Sequence, residues 1–140
     1  TLTSLVTKAK RQADMVVFAL HWGTERKTVP DPYQIALGRA TVDAGADLVL
    51  GAHPHVLQGS EVYKEKPILY SMGNLISPLG GETALYKLSY VGTKFRKMEV
   101  VPIRYGSSGI APLGEKPAAA AIKRVAGLDA SLARAYPMPK

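Results

Sequence analysis

The stretch DMVVFALHWGTERKTVPDPYQIALGRATVDAGADLVLG, residues 14–51, decides the fold class of this chain. It opens with an apolar run over 14–20, which predicts a strand buried on both faces. Residues 32–45 carry apolar side chains at helical spacing, with a proline at the start and a glycine at the end, and they predict a helix. A second apolar run over 46–51 predicts another buried strand. The order strand, helix, strand is typical of a right-handed βαβ unit with parallel strands.

The rest of the chain predicts mostly antiparallel strands and a C-terminal helix. Short β-branched and aromatic runs predict strands at 61–63, 67–72, 84–91 and 97–103. The turn residues GTK between the last two favour a hairpin. The alanine-rich segment 115–136 predicts a helix interrupted at Gly127, and residues 4–14 are typical of the last turns of another helix. We therefore expect one α/β domain over residues 1–140.

Composition narrows the function classes. Hydrophobic residues make up 46% of the 140-residue chain and charged residues 21%, which is typical of a folded domain. The longest apolar runs fall far short of the roughly 20 residues that span a bilayer, and we find no signal peptide pattern. Because the chain has no cysteine, nitrogen and oxygen atoms must supply any metal ligands.

The net charge of +7 suits anionic partners such as phosphate esters or acidic polymers. The alternative is that this charge serves only solubility, since the basic residues are scattered in short clusters. No basic stripe interleaved with aromatic residues is present, so we do not expect a nucleic-acid partner.

The three histidines follow the two predicted parallel strands. His21 comes directly after the first strand, and His53 and His55 come after the second. Carboxyl ends of parallel strands lie at one edge of a sheet, so the three imidazoles are expected to converge there. Pro54 is expected to hold His53 extended, which would turn both histidines of the pair to one side. Neutral imidazole is a common metal ligand; the alternative is that these groups only cap turns or form hydrogen bonds.

The distance of each carboxylate from the histidines along the chain indicates whether it can belong to the same site. Asp14 and Asp47 stand at the beginnings of their strands, roughly 20 Å from the histidines at about 3.3 Å per residue, and are expected to be structural. Glu25 lies in the same loop as His21, and is a candidate general acid or base or an orienting partner of an imidazole. It is equally compatible with a solvated loop position.

Three further residues are candidates for substrate contacts. Asn74 follows the strand predicted at 67–72, where an asparagine usually serves the backbone turn but can also bind substrate or orient a ligand. Trp22 and Gln58 are compatible with packing or loop fixing, or with a pocket wall.

The segments HWGTE (21–25) and 31–76, together with the hairpin that ends in VVPI, resemble the bacterial capsule synthesis family of CapA-like or poly-gamma-glutamate synthesis proteins. The resemblance covers about residues 14–104. That family is similar to the calcineurin-like metallophosphatases, which implies a four-layer sandwich of two sheets flanked by helices. It also implies a dinuclear centre of divalent ions, Mn, Fe or Zn, at the strand ends.

By this resemblance, His21, His53 and His55 would be metal ligands. In a complete site His21 or His55 would stabilise the leaving oxygen, and Glu25 would transfer a proton. The superfamily's "GD" and "NH" motifs do not occur before His21. The chain therefore resembles the C-terminal half of such a domain, without half of the ligand set. Either the chain is a fragment, or a second chain completes the site, or the domain is no longer catalytic.

The resemblance implies a metal-dependent phosphoesterase-like role in capsule or poly-gamma-glutamate synthesis, in the extracytoplasmic cell envelope. The alternative is a non-catalytic module that holds an acidic surface polymer near a membrane-associated polymer synthase. Exposed sheet edges would favour a homodimer, which a monomeric mass in solution would contradict.

Overall fold

Within the residues that the structure describes, two β-sheets and three helices make up the fold. The structure is a computed structural model and describes residues 1–77 and 79–139. Its elements in chain order are α1 (Leu2–Lys10), β1 (Val17–His21), α2 (Pro32–Asp43), β2 (Leu48–Ala52), β3 (Ser60–Tyr63), β4 (Lys66–Leu69), β5 (Gly81–Val91), β6 (Lys94–Gly106), β7 (Gly109–Pro112) and α3 (Glu115–Ala135). The predicted mixed α/β class is confirmed.

The first sheet contains the βαβ unit. Its strand order is β1-β2-β4-β3, with β1, β2 and β4 parallel and β3 antiparallel to β4. The register places His21 at the end of β1 opposite Ala52 at the end of β2. The predicted parallel pair is therefore confirmed, and the loops that follow β1, β2 and β4 leave the sheet at one edge.

Strand β1 differs from its prediction. It begins at Val17 rather than at residue 14, and it alternates between exposed and half-buried positions instead of being buried on both faces. Val17 is 50% exposed because β1 is an edge strand of the described sheet and one of its faces is uncovered. Strand β2, which lies between β1 and β4, is buried as predicted.

Helix α2 covers the other face of the first sheet. It begins with Pro32 in its first turn, and the Asp31 N–H donates to Gln34 Oε1 at 2.8 Å, which completes a capping box. Ile35 and Val42 belong to the same buried cluster as Val49 of β2. This packing fixes the loop between β1 and α2 against the sheet edge.

The second sheet is antiparallel, with strand order β5-β6-β7. Val91 pairs with Lys94 across a two-residue turn, so the predicted hairpin is confirmed. Strand β7 was not predicted, because its four residues include a glycine and a proline, which are rare in strands. The strand predicted over 67–72 ends earlier, at Leu69, and only an isolated bridge from Met72 to Leu57 follows.

Helix α3 contacts both sheets. It runs without a break from Glu115 to Ala135, so the predicted interruption at Gly127 is wrong. One glycine weakens a helix by only about 1 kcal/mol, and the buried contacts of Val125 and Leu132 outweigh that. On the first sheet, Asp129 Oδ1 accepts hydrogen bonds from the N–H and the hydroxyl of Ser60 at 2.7 and 3.0 Å.

Replacing Gly127 with alanine is expected to stabilise the chain by about 0.5–1 kcal/mol, because alanine loses less backbone entropy in a helix. A Cβ at this position meets no atom within 4 Å. The reverse change at the exposed neighbour, Ala126→Gly, is the matched control and is expected to lower the free energy of unfolding by a similar amount. Urea unfolding of the three proteins measures both, and a destabilised Gly127→Ala variant would contradict the helix geometry.

Asp47 lies at the edge of the first sheet opposite the histidines and is structural, as predicted. Its buried carboxylate accepts hydrogen bonds from Lys10 Nζ and Lys66 Nζ, both at 2.7 Å, and from the Val16 N–H at 2.9 Å. Burial alone would raise the pKa of Asp47, but the two ammonium groups and the N–H outweigh it and lower the pKa below its usual value. The carboxylate thus ties α1 and β4 to the start of β2.

Because the pKa of Asp47 is lowered by folding, its contribution to stability is present above the unfolded pKa of about 4 and is lost as the pH falls through the folded value. We expect Asp47→Asn to lower the free energy of unfolding by about 2 kcal/mol at pH 7. The stability of this variant should also fall less steeply than that of the parent chain as the pH is lowered, which is the acid limb of the stability curve. Asp14→Asn, at an exposed carboxylate, is the control. Unfolding measured between pH 2 and 7 tests this, and an unchanged acid limb in Asp47→Asn would count against it.

No helix in the described part of the chain combines the length and the apolar character needed to cross a membrane.

Candidate metal centre

The carboxyl ends of three parallel strands bring the predicted polar residues together. His21 ends β1, His53 and His55 follow β2, and Asn74 lies in the loop after β4. The ring centroids of His21 and His53 are 4.6 Å apart, and those of His53 and His55 are 6.1 Å apart. The expected convergence of the three imidazoles at one sheet edge is therefore present.

Glu25 joins this group. Glu25, His53 and His55 each offer one ligand atom, and these atoms all lie within 4.8 Å of one another. Two imidazole nitrogens and one carboxylate oxygen are ligands suited to zinc, manganese or iron, and three protein ligands leave coordination positions for water or substrate. The donor set of this chain therefore fits a divalent ion. The role of a metal ligand for Glu25 was not predicted from the sequence, which left it as an acid, a base, an orienting partner or a solvated loop residue.

The histidine pair converges for a different reason from the one predicted. His53 has φ of 102° and His55 has φ of 59°, so neither is in extended chain. The segment instead turns around the buried Pro54, whose carbonyl accepts a hydrogen bond from the Arg26 N–H at 2.8 Å. Positive φ at residues other than glycine costs on the order of 1–3 kcal/mol and clusters at functional sites. The same hydrogen bond holds the loop that carries Glu25 against the histidine turn.

Gln58 holds the loop between β1 and α2 in place from the interior of the protein. It is only 1% exposed, its Nε2 donates to the Lys27 carbonyl at 2.9 Å, and its Oε1 accepts from Gln34 Nε2 at 3.1 Å. Both ends of the amide are engaged within the protein. Of the two roles considered for Gln58, its geometry fits loop fixing rather than direct contact with substrate.

Trp22 lies in the core. It is 5% exposed, it stacks on Tyr70 with ring centroids 5.8 Å apart, and its Nε1–H donates to the Tyr70 carbonyl at 2.8 Å. The indole passes beside Gly51 of β2, where any Cβ would lie 2.4 Å from Nε1. This position fits the packing role and leaves the indole no open face for a ligand.

Asn74 is placed to orient His55. Its Oδ1 lies 2.8 Å from His55 Nδ1. An amide oxygen only accepts hydrogen bonds, so this pairing favours the tautomer of the neutral imidazole that carries its proton on Nδ1 and can bind a metal through Nε2. Ligand histidines commonly have their second nitrogen fixed in this way. Asn74 therefore fits the second role considered for it, that of orienting a ligand.

One residue beside the cluster was missed by the sequence analysis. Arg26 lines, together with His55 and Asn74, a cleft of about 640 Å³ that extends between the second sheet and α3. The scattered distribution of basic residues gave no reason to single out Arg26. Its φ of 61° and the contact of its N–H with Pro54 are properties of the folded loop.

The comparisons with known proteins agree with the resemblance. The profile of the family described as "Bacterial capsule synthesis protein PGA_cap" matches residues 1–79, which include Glu25, the three histidines and Asn74. "Capsule biosynthesis protein CapA" of Bacillus anthracis is 46% identical over 100 residues, covering 67% of this chain and 24% of that protein. "PGA biosynthesis protein CapA" of Bacillus subtilis (strain 168) is 41% identical over 115 residues, covering 78% of this chain and 30% of that protein.

The matched part of the chain thus spans only 24% and 30% of the length of these two relatives. The family match begins just before α1 and ends after β4, so it covers the first sheet and its histidine edge. A profile that matches 79 residues of 140, together with relatives at 41–46% identity, shows the family. The chain belongs to the bacterial capsule synthesis protein PGA_cap family.

Proposed function

We propose that this chain supplies one metal-binding half of a phosphoesterase-like site in a protein of capsule or poly-gamma-glutamate synthesis. The observation that carries the proposal is the set of ligand atoms from Glu25, His53 and His55, all within 4.8 Å of one another. The names of the two relatives, which refer to capsule and PGA biosynthesis, support the cellular context. The four-layer metallophosphatase sandwich and a location in the cell envelope belong to the same proposal.

Each residue has a distinct part in the proposed site. Glu25, His53 and His55 would hold a divalent ion. His21 is not among these three grouped ligands, but its ring lies beside His53 and it would contribute to the same centre. Asn74 would hold the imidazole of His55 in the tautomer with its proton on Nδ1, so that Nε2 is available to the ion. A bound divalent ion would polarise a phosphoryl oxygen and lower the pKa of a bound water. A second ion would need ligands beyond the four residues named here.

The first test is phosphate binding. With Mn²⁺ present, the chain is expected to bind inorganic phosphate, and EDTA should abolish that binding because the anion binds through the metal. His55→Ala should weaken phosphate binding strongly. Asp14→Asn, far from the site, is the control and should not change it. Phosphate binding that persists unchanged in EDTA would contradict the proposal, and so would chelator-insensitive phosphoester hydrolysis by the longer family protein.

The net charge of +7 supports a second candidate function, a module that holds an acidic polymer close to a polymer synthase. That function predicts affinity for poly-glutamate that falls steeply with salt and survives His53→Ala. The metal-site proposal predicts instead that the same variant loses divalent-ion binding. Measuring both properties in the one variant separates the two functions.

A further inference from the structure

We propose that the cleft beside the histidine cluster binds the apolar alcohol part of a phosphate monoester, so that the site prefers alkyl or aryl phosphates to esters of small polar alcohols. This inference rests on the proposed function only for the binding of the phosphate group, and the binding of the apolar part does not depend on it. The cleft of about 640 Å³ falls within the range of roughly 300–1,000 Å³ that small-molecule sites occupy.

The cleft meets the candidate metal centre at one end. His55, Asn74 and Arg26 line it where it meets the candidate metal centre. The Arg26 backbone is fixed there by its hydrogen bond to the Pro54 carbonyl. The Arg26 guanidinium and a bound cation at one end would hold a phosphate group there.

The remaining walls expose more apolar than polar surface, although Thr28, Glu82, Thr83, Tyr105, Arg124 and Ser131 also line them. Leu57 contributes from the histidine loop, Pro102 from β6, and Val125 and Leu128 from α3. The cleft has one other cationic residue among its described lining, Arg124, which is already paired with Glu82 on β5. An acidic polymer would need a series of free cations along this length. The lining therefore favours a ligand with one anionic end and an apolar body.

The test compares methyl, phenyl and octyl phosphate as ligands of the chain in the presence of Mn²⁺. Burying one methylene is worth about 0.8 kcal/mol, or roughly fourfold in affinity, so octyl or phenyl phosphate should bind at least about tenfold more tightly than methyl phosphate. The phenyl and octyl arms distinguish a compact aromatic alcohol from a lipid-like chain. Equal affinities for all three esters would overturn the inference.

A blocking variant makes the test specific. Gly127 lines the cleft and has open space around its Cβ position, so Gly127→Trp should fill the cleft without harming the helix. It should remove the advantage of octyl phosphate and leave methyl phosphate binding unchanged. Ala126→Trp, at an exposed neighbour that does not line the cleft, is the control and should keep the advantage.

Failure of the cleft and failure of the metal site give different results. Repeating the titrations in EDTA removes the metal-dependent part of the affinity, yet octyl phosphate should still bind more tightly than methyl phosphate through the apolar walls. If Mn²⁺ and phosphate bind but chain length has no effect, the cleft inference is wrong and the proposed function stands. If no metal binds but octyl phosphate retains its advantage, the proposed function is wrong and the cleft inference stands.

Discussion

Gly51→Ala is expected to destabilise the chain by about 3–5 kcal/mol. An added Cβ would lie 2.0 Å from the Tyr70 carbonyl oxygen and 2.4 Å from Trp22 Nε1, so the methyl group cannot enter without separating β2 from β4. The buried hydrogen bond from Trp22 to Tyr70 would break as well. Since both contacts lie beneath the histidine turn, the candidate metal centre should be disturbed together with the fold.

Unfolding in urea, followed by the fluorescence of the single tryptophan, measures this loss. Gly127→Ala is the matched control, because the same methyl group enters open space there. If Gly51→Ala were within about 1 kcal/mol of the parent chain, the close approach of β2, Trp22 and Tyr70 would be wrong.

His53→Ala and Glu25→Gln are each expected to lower the affinity for a divalent ion by at least about 100-fold, since groups that only support a ligand already cost 10–100-fold. Each change removes one of the three grouped ligand atoms. Asn74→Ala should lower the affinity by 10–100-fold, because it removes the hydrogen bond that orients His55 without removing a ligand. Titration with Mn²⁺ or Zn²⁺ provides the affinities.

Glu65→Gln, at an exposed carboxylate in the turn between β3 and β4, is the matched control for Glu25→Gln and should not change the affinity. The folding of each variant is checked by its tryptophan fluorescence. If Glu25→Gln bound metal as well as the parent does, Glu25 would return to the role of acid, base or solvated loop residue.

The regular part of the fold could be predicted because its signals are local. A parallel pair of strands was predicted from two apolar runs, 14–20 and 46–51, with a helix between them. His21 follows the first run, and this position predicted that it lies at the same sheet edge as His53 and His55. The family resemblance, drawn from the same residues, agrees with the PGA_cap match. The exposure of β1 could not be predicted, because it depends on what covers the sheet and not on the strand's own residues.

The details of the site depend on contacts between distant segments. Proline restricts the residue before it towards extended chain, and that local rule failed at His53 because the Pro54 carbonyl pairs with Arg26 on another loop. The same long-range contact brings Glu25 to the histidines. The cleft against α3 could not be predicted from the sequence either, since it is formed by segments as far apart as Arg26 and Ser131. Spacing along the chain carries no information about such contacts.

The most direct test of the account is the stoichiometry of divalent-ion binding to the purified 140-residue chain, measured by elemental analysis after loading with Mn²⁺ or Zn²⁺. We expect one ion per chain, held by Glu25, His53 and His55, and loss of that ion in His53→Ala. A chain that binds no ion, or one whose ion content is the same in His53→Ala, would contradict the account.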